Sequence, residues 1–269
     1  MLPETPPSPP SSSAPTESRS RDAVTRTAAR ARHIGLTLGP IAPPFLRLAT
    51  AAQDPGLLGP LLALPEAVAP GLPLKARGAH AIAFLSYQLA GILALLALDA
   101  RLGAAPEADA AGLLWAEGDE RKLHLRLARL VPISDMAEVG ERLAGWAAPF
   151  IIAIEGETGL AATAQWKLVA DSLALAFLES GRALGMESEG REAGLAILND
   201  VRSLLFSPKT GFVRIIGQGD GRAHYFLERA GCCLAYQAPG GGLCDNCGLH
   251  PPATRRQRLA AHVKHEPPA

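Results

Sequence analysis

The sequence predicts a mainly helical α+β protein, and three observations carry that expectation. Aromatic residues make up only 5% of the chain while alanine and leucine abound, a composition that favours helix over strand. Four long stretches have apolar faces of helical period and are bounded by cap residues or glycines. Two short segments instead alternate about a glycine-containing turn, the pattern of β-hairpins.

The elements follow in order. Residues 1–20 hold six prolines and six serines and offer too little apolar surface to offset the entropy of ordering. With a short basic helix over 21–33, they form an expected disordered, basic N-terminal tail, 1–33. From Ile34 to Pro73 prolines recur every few residues, which leaves room for short helices and turns only. A long apolar helix is predicted from about Ala79 to Arg101, with Gly103 as its C-cap. Within it, Ala81 to Leu98 carries no charge over 18 residues. That length borders on a membrane span, but Ser86, Tyr87, Gln88 and Gly91 interrupt it, and a helix buried in a soluble core is expected. A hairpin then runs through Ala111–Ala116 and Arg121–Leu127. Ser134 reads as an N-cap for a helix from about Asp135 to Glu155. Further helices are expected over 160–184 and 188–205, closed by Pro208 and Gly211. A second hairpin, Phe212–Ile216 with Arg222–Leu227, leads to Cys232.

Charge excludes some functions. Lys plus Arg and Asp plus Glu both number 26, so the chain has no global attraction to nucleic acid or to an anionic membrane. Arg19, Arg21, Arg26, Arg30 and Arg32, and likewise Arg255, Arg256, Arg258 and Lys264, read as solvated clusters. No apolar stretch follows a basic start, so no secretory signal is expected, and the prolines oppose an amphipathic transit helix. A cytoplasmic protein is expected, compatible with peripheral contact at the inner membrane face. Gly217-Gln-Gly-Asp-Gly is too short for a dinucleotide fingerprint and precedes a strand rather than a helix. His80, His124 and His224 read as structural or exposed.

The chemistry lies in the cysteines. All four, Cys232, Cys233, Cys244 and Cys247, fall in the pattern C-C-x10-C-x2-C. Disulfides fit poorly with a reducing compartment. Zinc accepts C-x2-C as half a site, with His250 able to replace one thiolate, but adjacent cysteines chelate one ion badly because neighbouring side chains in extended backbone diverge. An iron–sulfur cluster takes four thiolates, and two irons relax the demand that adjacent cysteines converge. Glycines in the Gln237–Leu243 loop can bend backbone around sulfide and aim N–H groups at sulfur.

The run from Arg229 through Gly248, with its arginine before the cysteine pair, Tyr236 after it and the glycine-rich turn, resembles the C-terminal signature of FhuF-like ferric-siderophore reductases. Gly248 stands where that family often has proline. The resemblance implies a [2Fe–2S] cluster on the four cysteines, with a formal charge of roughly −2 oxidised and −3 reduced for a four-thiolate site. It implies one-electron reduction of a ferric siderophore to release Fe(II), which its hard oxygen ligands grip far less. Beyond the motif the resemblance reaches only about residues 80–207, through the order of elements, and the expected division is a mainly helical siderophore-binding domain (34–207), a cluster-binding segment (208–252) and a basic C-terminal tail (253–269). With no dinucleotide fingerprint, an external ferredoxin or flavin reductase is the expected electron donor. Arg222 and Arg229 are candidates for tuning the cluster, since a nearby cation favours the more negative reduced form. Tyr236 joins them, and Trp166 and Lys167, beside Gln165, are candidates for contact with an anionic siderophore. The competing reading is a zinc-stapled helical module that binds a partner protein. A siderophore-assembly enzyme is disfavoured, since no phosphate-cradling loop is present.

Overall fold

The computed structural model describes residues 17–31, 34–107, 109–118, 122–217, 221 and 223–263. Along the chain these form α1 (Glu17–Arg30), β1 (Ile34–Leu38), β2 (Leu46–Arg47), α2 (Leu48–Ala51), α3 (Pro55–Val68), α4 (Leu74–Ala100) and β3 (Leu102–Ala104). Then come β4 (Ala111–Trp115), β5 (Leu123–Leu127), β6 (Leu130–Pro132), α5 (Ala137–Thr158), α6 (Ala162–Leu184) and α7 (Glu187–Asn199). The last elements are β7 (Gly211–Ile216), β8 (Ala223–Glu228), a 3-10 turn at Ala235–Gln237 and α8 (Pro252–Val263). The fold is α+β and mainly helical, as the composition predicts.

The core is built around α4, which packs along α6, α5 and α3. Ile82, Leu85, Leu89, Leu93 and Leu96 are fully buried, and a helix apolar on nearly all sides must be enclosed. Among the described residues, α4 is the one helix long and apolar enough to cross a membrane, and 72% of its apolar window lies buried inside the fold. A four-stranded sheet, ordered β1-β5-β4-β2, covers one side, with β1 parallel to β5 and the other pairs antiparallel. Along β5, Leu123, Leu125 and Leu127 point into the core while His124 and Arg126 are half-buried, the alternation expected of a one-sided strand. Arg126 lies over the Phe45 ring at 4.1 Å.

Both expected hairpins form. The tip of the first (119–121) and, in the second, residues 218–220 and Arg222 lie outside the described residues. Several expectations need correction. The 34–73 stretch is not limited to short helices and turns: it supplies two sheet strands and the 14-residue α3, which contains Pro60 and Pro65. Asp54 caps α3 by accepting from the Gly56 N–H at 2.8 Å. Burial of Leu57, Leu61 and Pro65 along one face offsets the lost backbone bonds. Gly103 is not a C-cap. Arg101 takes the left-handed conformation there (φ 54°), and Gly103 lies in β3, where a Cβ would come within 2.8 Å of Ile133. Ser134 does not cap α5 either. Its hydroxyl and N–H both donate to Glu138, as does the Asp135 N–H, and the Asp135 carboxylate accepts from Ala137 N–H. The helix expected to reach Leu205 ends at Asn199, and Ser207 N–H then returns to the Leu198 carbonyl at 2.9 Å.

The two basic clusters are not free. In α1, Ala23 and Val24 join the main core and Arg26 pairs with Asp99 at 2.7 Å. In α8, Leu259 packs with Val213 and Ile215 in a second, small core, and Arg255 pairs with Glu228. Residues 1–16, Arg32 and Lys264 lie outside the described residues.

Candidate metal centre

The four cysteines are delivered by two loops. Cys232 and Cys233 follow β8 after the turn Arg229–Gly231. Cys244 and Cys247 close the glycine-rich loop, where the Cys247 N–H donates to the Cys244 carbonyl at 2.9 Å. Cys247 is buried, Cys232 and Cys233 are half-buried, and Cys244 is exposed. The backbone between them is tightly wound. Leu234 takes φ 58° immediately after Cys233, a conformation that costs a branched residue roughly 1–3 kcal/mol and tends to mark functional sites. Gly241 is required by close approach: a Cβ there would lie 2.8 Å from the carbonyl oxygens of both Ala235 and Ala238.

Cys233 is the electrostatic focus. The neighbouring Cys244 thiol, the His80 side chain, the Ala235 N–H and the Arg229 guanidinium all favour the Cys233 thiolate while burial opposes its charge, and the Cys244 Sγ–H itself donates to Asn246 Oδ1 at 3.4 Å. Together they hold the Cys233 thiol well below the usual thiol range. Cys244, beside the Cys233 thiolate, is pushed up. Arg229 Nη1 lies 3.8 Å from Cys233 Sγ. Burial works against the charge on Arg229, but the negative charges of Cys233 and Asp171 outweigh it and hold the guanidinium above its ordinary pKa.

Asp171 is the residue that sequence reasoning missed. It sits on α6 and is only 2% exposed. Its Oδ1 accepts from Thr210 Oγ1 (2.8 Å) and the Ala230 N–H (2.9 Å), and its Oδ2 from the Gly231 N–H (2.8 Å) and Arg229 Nε (3.5 Å). Burial pushes its pKa up despite these donors. Gly231 makes the approach possible, since a Cβ would lie 2.9 Å from Leu168 Cδ2 and 3.0 Å from Asp171 Oδ2. On the other side of the site, Arg258 and His262 of α8 hold Asp245, the neighbour of Cys244, at 3.0 and 2.7 Å.

Of the other expected residues, Tyr236 is 38% exposed on the 3-10 turn, three positions after Cys233. Trp166 packs against the core and Lys167 is exposed, one position before the Leu168 that touches Gly231. Gln165 is no part of a surface patch: it is fully buried and donates to the carbonyls of Ile151 and Leu160. Arg222 lies outside the described residues. His80 lies beside Cys233, and its buried Nε2 has no hydrogen-bond partner among the described residues. His124 packs against Gly35, and His224 is half-buried in β8.

The donor set fits a two-iron cluster. Four thiols and no hard oxygen ligand are what [2Fe–2S] requires. Among the described residues no three His, Cys, Asp or Glu side chains are grouped as one ion would need. Comparison with known families agrees. Residues 229–248, which include all four cysteines, match the family model described as the FhuF 2Fe-2S C-terminal domain. A comparison with curated proteins finds no match. Residues 229–248 are thus similar to the FhuF 2Fe-2S C-terminal domain, which supports a [2Fe–2S] cluster in this segment.

Proposed function

We propose that the protein is a ferric-siderophore reductase in which Cys232, Cys233, Cys244 and Cys247 hold the cluster. A ferredoxin or flavin reductase gives up one electron, and the Fe(III) of the siderophore takes it and leaves as Fe(II). When bound, the cluster supplies a one-electron couple, which matches that stoichiometry. The observation that carries the reading is the FhuF-type segment with Cys244 at the surface, so that one edge of the site is open to a partner. Tyr236 and Leu249, both exposed near the cysteines, offer apolar contact around that edge.

The chain's own residues support a substrate seat beside it. On the otherwise buried α4, His80, Phe84, Tyr87 and Gly91 recur at helical spacing as a half-exposed stripe. It starts at Cys233 and reaches a cavity of about 380 Å³ lined by Arg30, Tyr87, Gln88, Glu179 and Ser180, in which the Tyr87 hydroxyl donates to Glu179. From His80 to Tyr87 the helix rises roughly 10 Å at 1.5 Å per residue. Arg30 and Glu179 balance in charge, and the polar groups sit on an apolar floor of Ile34, Ile92 and Leu95.

The test is anaerobic. Protein purified without oxygen is expected to be red-brown, to bleach with dithionite and to show a rhombic low-temperature EPR signal. Mixed with a ferric siderophore, a low-potential donor and an Fe(II) chelator, it is expected to form the coloured Fe(II) complex faster than donor alone. Intact cluster with no acceleration for any siderophore refutes the reductase. Colourless protein with one zinc per chain refutes the cluster and favours the zinc-stapled module.

A further inference from the structure

We propose that Asp171 is the positioning residue of the iron–sulfur site: it anchors the Arg229–Gly231 turn to α6 and, through Arg229, sets the reduction potential at Cys233. This rests on the reading that the four cysteines hold the cluster.

An isolated carboxylate in a helical core is costly, and a buried one is retained only where its lone pairs are filled. Asp171 is filled from one direction. Three of its four donors, Arg229 Nε and the N–H groups of Ala230 and Gly231, belong to the residues that lead into Cys232. The fourth, Thr210 Oγ1, stands at the start of β7 and is itself in hydrogen-bond contact with Ser207 Oγ at 2.8 Å. Any movement of Asp171 therefore moves the backbone that carries the adjacent cysteines.

Arg229 links the carboxylate to the sulfur. Its Nε faces Asp171 and its Nη1 faces Cys233 Sγ. A guanidinium is a rigid fork, so the carboxylate that holds one edge aims the other. The charges act in opposite senses. The reduced cluster is more negative by one, so Arg229 favours it and Asp171, which partly neutralises Arg229, disfavours it. A residue with a merely structural role would change cluster content without producing opposite shifts in potential.

The experiment is an EPR-monitored redox titration of the cluster-loaded protein and its D171N, R229Q and T210V variants. D171N is expected to raise the reduced-to-oxidised ratio at fixed potential about tenfold, a midpoint shift of about 59 mV upward for a one-electron couple, and R229Q to lower it by a similar factor. The D171N/R229Q double variant is expected to fall short of the sum, because one residue acts through the other. A loaded D171N that titrates at the wild-type midpoint overturns the proposal, as does a shift of D171N and R229Q in the same direction. Should D171N not retain its cluster, T210V is read instead, since it keeps the charge and removes one donor. A changed midpoint or line shape supports the proposal, and unchanged values overturn it. Wild-type protein that never acquires a cluster overturns the reading beneath it, an outcome distinguishable from a loaded wild type with an unmoved D171N.

Discussion

Replacing Gly231 with alanine is expected to strain the joint between the helical core and the cysteine segment. The added Cβ would sit 2.9 Å from Leu168 Cδ2, 3.0 Å from Asp171 Oδ2 and 3.1 Å from the Leu168 backbone nitrogen. The leucine methyl can rotate away, but the Leu168 nitrogen belongs to α6 and cannot, so the loop must retreat. Overpacking of this kind costs about 1–3 kcal/mol. Retreat also stretches the 2.8 Å bond from the Gly231 N–H to Asp171, and a hydrogen bond to a charged group contributes about 1.5–3 kcal/mol. Partial relief of each leaves roughly 2–4 kcal/mol, or about 5–12 °C in Tm for a chain of this size. The control is Gly242→Ala in the same segment, where a Cβ would meet nothing within 4 Å. Thermal unfolding and iron per chain, measured on both variants purified without oxygen, provide the assay. Gly231→Ala is expected to melt earlier and to hold less iron, with Gly242→Ala close to wild type on both counts. Wild-type melting and full iron in Gly231→Ala would refute the claim that close approach to α6 positions this turn.

Three further outcomes are expected. Glu138 is raised by burial, but donors from Ser134, Arg142 and Asp135 outweigh that and lower it from 4.5 to about 2. Its stabilisation is therefore full above about pH 4.5 and lost as pH falls toward 2. After discounting for a side chain 29% exposed, Glu138→Gln is expected to cost about 1–2 kcal/mol at pH 7 and nearly nothing near pH 2, and a pH-independent difference in urea unfolding would contradict this. Leu259→Ala removes the α8 anchor from Val213 and Ile215 and is expected to cost about 2–3 kcal/mol. Protease cleavage within α8 at the wild-type rate would argue against that anchor. Serine at Cys232 or Cys247 is expected to abolish the visible chromophore while leaving the far-UV circular dichroism of the helical core intact. A variant with full wild-type iron content and spectrum would remove that cysteine from the ligand set.

How much of this was legible in the chain depends on the range of the interactions. Helical period located α4, α5 and α6 to within about five residues, because an apolar face is a local pattern, whereas the expected caps Gly103 and Ser134 do not cap. The hairpin β4–β5 was equally readable from its alternation. The strand β1 was not, since it pairs in parallel with β5 nearly ninety positions later and its surroundings are full of prolines. Gly35, which reads as a breaker, is there because the His124 ring occupies the space a Cβ would take.

The site divides in the same way. The spacing of four cysteines and the glycine-rich loop between them pointed to a candidate ligand set and its chemistry, since both are local patterns. The tertiary structure decided what surrounds them. Asp171 stands among leucines and alanines on α6, and nothing local distinguishes it from a solvent-facing carboxylate. Its meaning comes from donors at Thr210, Arg229, Ala230 and Gly231, which only the packed chain brings to it. His80 reaches Cys233 and Arg258 reaches Asp245 by the same route. A sequence pattern records which groups can bind iron, whereas the field around those groups is set by charges from distant parts of the chain, whose positions folding alone determines.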